Sequence, residues 1–177
     1  MRTVRTHSRV ACFVGAMALL FQIAPVMAES RDDHNRPVAV TFTKWVVPAP
    51  PPPAIQPPFA LLAGVAGGDV VGTFVGEVLW GQTSVNKHVR GIEAMYEVIA
   101  ADLDRSFTAL IRGGQNEAGA AQFDGVVLAG WRTGARVHVE YQRYPFADAA
   151  CADAGDAPVG TLVCFVGTIH VDRAPQD

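Results

Sequence analysis

Branched and aromatic residues recur at alternate positions in short runs along this chain, and glycine or aspartate closes most of the runs. A spacing of two sets one side of a strand against a core and the other toward water, and no long stretch keeps the three-to-four spacing of an amphipathic helix. The pattern predicts strands at residues 38–47, 70–80, 92–100, 106–112, 120–128, 135–144 and 162–171, with an eighth near the apolar run 59–65. Residues 93–102 carry Ala, Met and Glu, which also suit a helix, but the branched flanks and the turn at 102–105 favour a strand. The sequence Gly113-Gly114-Gln115-Asn116 reads as a hairpin turn, and residues 130–134 as another.

This spacing of strands suits an up-and-down antiparallel sheet, and closing the sheet removes two long edges that would otherwise pair with other chains. The expected fold is therefore all-β, a closed antiparallel eight-stranded barrel, with a β-sandwich as the alternative. Gly72 and Gly76 share a face with Phe74, Val78 and Trp80, and glycine at that parity permits tight curvature. The bore is expected to be neutral and apolar, with Thr41, Thr43, Phe74, Tyr96 and Val98 pointing inward as ligand-binding residues. Such a lining suits a small apolar or amphipathic molecule; the competing expectation is that side chains simply fill the bore.

The ends of the chain change the setting. Residues 1–28 combine Arg2, Arg5 and Arg9 with an apolar stretch and the small-residue close Val26-Met27-Ala28, the layout of a secretory signal cleaved near Ala28. A polar leader at 29–37 would follow, then a single domain over 38–174 interrupted by a proline-rich connector at 48–58, and a tail at 175–177. The protein is thus expected to be secreted or periplasmic, without stable membrane insertion. Three of the 14 basic residues and none of the 17 acidic ones would leave with the signal, taking the net charge from −3 to −6. Nucleic acid is an unsuitable partner for so acidic a chain, while a homo-oligomer is compatible with it. Cys12 would leave as well, so Cys151 and Cys164 are expected to form a structural disulfide, their spacing being too wide for a C-x-x-C redox or metal motif.

Candidate chemistry is sparse. Ser30, Ser84 and Ser106 lie outside any G-x-S-x-G elbow. His34, His88, His138 and His170 lack metal-ligand spacing, although His138 and His170 would face each other if their strands are neighbours. No metal or other cofactor is expected. Glu77, Glu97 and Glu140 fall mid-strand, and parity sets Glu77 and Glu97 on the outer wall. Tyr96 and Glu140 are the candidate catalytic residues, as a proton donor or acceptor and an assisting carboxylate.

With the strands placed, several segments resemble the allene oxide cyclase and dirigent-like barrels, in particular exported bacterial proteins with an allene oxide cyclase-like domain. The carriers are Gly68-Asp69-Val70 opening the second strand, Gly72-Thr73-Phe74-Val75-Gly76-Glu77-Val78-Leu79, Ser106-Phe107-Thr108-Ala109, Gly130-Trp131-Arg132-Thr133-Gly134-Ala135 and Cys164-Phe165-Val166-Gly167-Thr168-Ile169. The resemblance spans residues 38–171 and implies an eight-stranded antiparallel barrel with an apolar cavity. The plant cyclases of this type use a glutamate and an asparagine on the first strand, a proline after it and an asparagine on the second. Here Thr41, Thr43 and Gly76 stand at those polar positions, and only a proline such as Pro48 is kept. The resemblance therefore implies the container first. An isomerase or cyclase that confines a fatty-acid-like substrate is the second reading, and a structural module without ligand the third.

Overall fold

A computed structural model of the chain describes residues 36–48, 59–83 and 88–173. The expected signal, most of the leader and of the proline-rich connector, the tail and Ser84 lie outside the described residues. Eight strands follow one another: β1 (Val38–Val47), β2 (Ala60–Gly68), β3 (Gly72–Thr83), β4 (Val89–Ala100), β5 (Phe107–Asn116), β6 (Ala120–Gly130), β7 (Arg136–Pro145) and β8 (Val163–Val171). Each pairs antiparallel with the next, and β1 pairs with β8 to close the barrel. Closure sets Val38 opposite Val171 and Lys44 opposite Phe165. The only helices among the described residues are single 3₁₀ turns, Leu103–Arg105 and Ala149–Cys151. No described helix is long and apolar enough to cross a membrane.

Alternation along the strands builds the core. Val38, Val40 and Phe42 from β1, Ala94, Tyr96 and Val98 from β4, and Val137, Val139 and Tyr141 from β7 all turn inward and are buried. Where two strands crowd, glycine replaces the side chain. A Cβ at Gly64 would lie 2.3 Å from the Thr43 carbonyl oxygen, and one at Gly167 would lie 2.1 Å from that of Glu140. Both glycines are inward-facing positions opposite large side chains, Lys44 and Tyr141 respectively.

Three local expectations need correction. Gly113 to Asn116 continue β5 instead of turning; the reversal falls at Gly119, whose φ of 87° is open to glycine, and Asn116 Oδ1 accepts from the Ala120 N–H at 3.0 Å. Trp80 faces solvent, 46% exposed, because the β3–β4 register passes from Val78↔Ala94 to Trp80↔Glu93 and leaves Leu79 as an extra residue. A bulge of this kind moves every later side chain to the opposite face. The third concerns Gly68-Asp69-Val70: Gly68 ends β2, and Asp69 and Val70 lie in the β2–β3 turn, with the Asp69 carboxylate accepting from the Ala39 N–H at 2.9 Å.

The two ends of the barrel differ. At the end where β1 starts and β8 finishes, Val38, Val127, Val137 and Val171 pack together. Trp131 lies there, and the buried Arg132 sits over its ring at 4.4 Å while donating to the carbonyls of Val171 and Asp172. This end is plugged. The opposite rim is formed by the end of β1, the start of β2, the end of β3 and the start of β4, and it leads into a pocket.

Candidate functional site

Among the described residues, Lys44 is the one charged-type residue with a buried side chain in the bore's open half. Its parity with Val38, Val40 and Phe42 turns it inward, and its residue is 2% exposed. Gly64 on the facing strand leaves room for its stem. The Nζ donates a hydrogen bond to Tyr96 Oη and lies 4.0 Å from the Tyr96 ring centroid, 4.4 Å from that of Tyr141 and 4.9 Å from that of Phe42. Phe74 stands further off at 5.3 Å. The rings brace one another: Phe74 and Tyr96 meet edge-on at 4.9 Å, and Tyr141 packs against Phe123 at 5.5 Å and Phe165 at 5.4 Å. No described carboxylate forms a salt bridge with the amine.

The electrostatics follow from this enclosure. Burial holds the Lys44 amine well below its ordinary pKa of 10.5, because a charge removed from water without a counter-ion loses far more solvation than it regains. Cation–π attraction opposes that shift by about 0.5–2 kcal/mol, against an effective burial penalty of several kcal/mol, so burial wins. Burial also pushes the Tyr96 phenol well above 10.0, and neighbouring Tyr141 adds to the shift. Tyr141 is pushed up to about 12 by burial, with Arg90 and Arg143 opposing. The site therefore pairs an amine that sheds its proton early with phenols that keep theirs.

A pocket of about 90 Å³ opens onto this group from the rim. Its walls are apolar at Leu62, Val78, Ile92 and Phe165, while Arg90 and Gln115 stand at the entrance. Lys44, Tyr96 and Tyr141 complete the lining. A larger groove of about 590 Å³ crosses the outer wall past Gln122, Glu140, Gln142 and Thr168. That groove is open to solvent, and the buried titratable side chain it shares, Tyr141, also lines the rim pocket, which in addition reaches Lys44 and Tyr96, so the rim pocket is the better candidate.

The residues singled out from the sequence divide between these places. Phe74, Tyr96 and Val98 are buried in the bore, and Tyr96 lines the pocket. Thr41 and Thr43 are not in the bore: they face outward with Trp45, Thr41 exposed and Thr43 covered by the loop between β7 and β8. The Cys151–Cys164 disulfide is present and holds that loop over Trp45. Glu140 also lies on the exterior, which removes it as an inward carboxylate, and Glu77 and Glu97 share the outer wall as parity predicts. His138 and His170 are paired across β7 and β8, with His138 Nδ1 2.9 Å from Asp124 Oδ1 on the surface. Among the described residues no three His, Cys, Asp or Glu side chains are arranged to hold a metal ion. Lys44 was missed although its parity with Val38, Val40 and Phe42 was available in the sequence.

Fold and site together define a barrel closed at one end and open at the other, with a shielded amine at the floor of its apolar mouth. No protein-family model, curated protein or solved structure matches the chain.

Proposed function

We propose that this protein is an exported barrel that binds a small apolar or amphipathic molecule in its rim pocket, polar end toward Lys44 and Tyr96. The observation that carries the reading is an apolar pocket whose floor presents one amine and two phenols and whose entrance carries Arg90. The volume sets the class of ligand. At about 90 Å³, against roughly 300–1,000 Å³ for a typical small-molecule pocket, it admits a short chain or the head of a longer one, with the remainder leaving through the mouth. A cyclase that encloses a whole fatty-acid-like substrate finds less support, since the plugged half of the bore is filled by side chains and Glu140 is outside. Export is favoured by the layout of residues 1–28, and the Cys151–Cys164 bridge is compatible with an oxidising compartment.

The test is uptake of 1-hexanol and hexanoate, followed by native mass spectrometry and by chemical-shift changes at Leu62, Ile92 and Tyr141. Val46 is half exposed at the rim and lines the pocket, so V46W should block entry without disturbing the core and weaken uptake about tenfold or more, a loss of about 1.4 kcal/mol. Equal uptake by V46W and the parent, or none by either, would count against the pocket.

A further inference from the structure

We propose that Lys44 captures short-chain aldehydes or ketones as an imine, with Tyr96 as the proton-transfer partner. This rests on the rim pocket being a ligand site and names the chemistry of its ligand. Three features of the geometry lead to it. The amine lines a pocket that opens to solvent at the rim; the Tyr96 hydroxyl is its hydrogen-bonded neighbour; and the walls are aromatic and aliphatic, so they shed water. An amine in such a place is poised as a nucleophile if it is uncharged, and burial without a counter-ion favours that state.

The groups facing it can be named strand by strand. Tyr96 and Arg90 come from β4, Gln115 from β5 and Tyr141 from β7, while β2, β3 and β8 contribute Leu62, Val78 and Phe165. None of these is a carboxylate that would hold the amine protonated.

The step balances without any further reactant. The Nζ lone pair forms a bond to the carbonyl carbon as the C=O π bond breaks, and the oxygen gains the proton that nitrogen gives up, relayed through the Tyr96 hydroxyl, to become the hydroxyl of a carbinolamine. The nitrogen then expels that hydroxyl, Tyr96 supplying the proton that makes it water and recovering one from nitrogen. The C–O bond breaks as the C=N bond forms. One aldehyde and one amine give one imine and one water. Dehydration is favoured because the apolar walls do not hold the released water.

The sequence makes the test clean, since Lys44 and Lys87 are its only lysines. The full protein is incubated at neutral pH with hexanal and cyanoborohydride, digested, and the reduced hexyl group located by peptide mass. An ordinary lysine is almost wholly protonated there, so Lys44 is expected to label about tenfold or more faster than Lys87. 1-Hexanol should compete at Lys44 alone. K44M should lose that label and K87R should keep it. Y96F is expected to slow labelling of Lys44 about tenfold relative to Lys87 in the same sample, at the low end of the usual range for a proton-transfer group, and unchanged labelling would remove Tyr96 from the step. Label confined to Lys87 and the chain N-terminus, with hexanol still bound, would overturn imine formation and leave the pocket standing. Label absent from Lys44 together with no hexanol binding would overturn both. Mapping on the parent protein decides the matter even if K44M fails to fold.

Discussion

A single buried amine sets much of the acid–base behaviour of this barrel. In the unfolded chain Lys44 takes up its proton below about 10.5, whereas in the fold burial lowers that point. Between the two values the unfolded state binds more protons, so stability rises with pH across the window and the full penalty is felt below it. Tyr96 and Tyr141 work in the other direction: their raised pKa values mean that the folded state keeps protons the unfolded state releases above about 10.0. Stability contributed by these phenols is complete below that pH and is lost as pH climbs toward about 12 for Tyr141. The three groups together predict stability that rises with pH up to near 10 and falls beyond it, seen as the midpoint of urea unfolding at successive pH values. K44M should be more stable than the parent at neutral pH, and its curve should lack the rise, whose slope is about 1.4 kcal/mol per pH unit while one proton separates the states. An equal slope in K44M would refute the assignment.

Backbone contact between strands explains why certain glycines are needed and others are not. A methyl group at Gly167 would lie 2.1 Å from a carbonyl oxygen and 2.8 Å from Tyr141 Cα, neither of which can swing away, whereas one at Gly155 meets nothing within 4 Å. G167A should therefore cost about 1–3 kcal/mol of unfolding free energy and disturb the Tyr141 wall of the pocket, while G155A should stay within about 0.5 kcal/mol. Comparable denaturation midpoints for the two variants would contradict the close approach. The loop between β7 and β8 behaves as a second layer laid on the outside of β1. Its disulfide joins residues 13 apart in sequence, which corresponds to about 3 kcal/mol of stabilisation. C151S/C164S should lose about that much and red-shift the emission of Trp45, now buried under the loop.

That loop also shows why the strands were legible and one of their faces was not. Strand positions follow from alternation, and alternation is strong where one face is wet: β4 and β7 carry buried Tyr96 and Val139 beside exposed Glu97 and Glu140. On β1 both faces are covered from Phe42 to Trp45, the outer one by the disulfide loop. A core tryptophan therefore sits on the outside, and the lysine between it and Thr43 looks like a surface residue. Parity from Val38 onward would still have placed Lys44 inside. The outward turn of Trp80 depends on one extra residue in β3, which nothing in the local sequence announces.

Across the molecule, the ring of strands leaves no free edge and its last seam joins the two ends of the barrel sequence. Contacts so distant along the chain form late, because the loop they close is the longest available. Folding is expected on the millisecond-to-second range of other β-barrels, measured by stopped-flow Trp131 and Trp45 emission. The same distribution of parts gives the two rims different tasks. One is sealed by Trp131, Arg132 and the valines around them; the other carries Arg90, Gln115 and the path to Lys44.

Because β1 enters and β8 leaves at the sealed rim, Arg36 and Arg173 both lie on the side of the barrel away from the pocket entrance. A bead, a tag or a reporter attached at either of these residues would thus dock the barrel upright and leave its aperture facing the bulk solution.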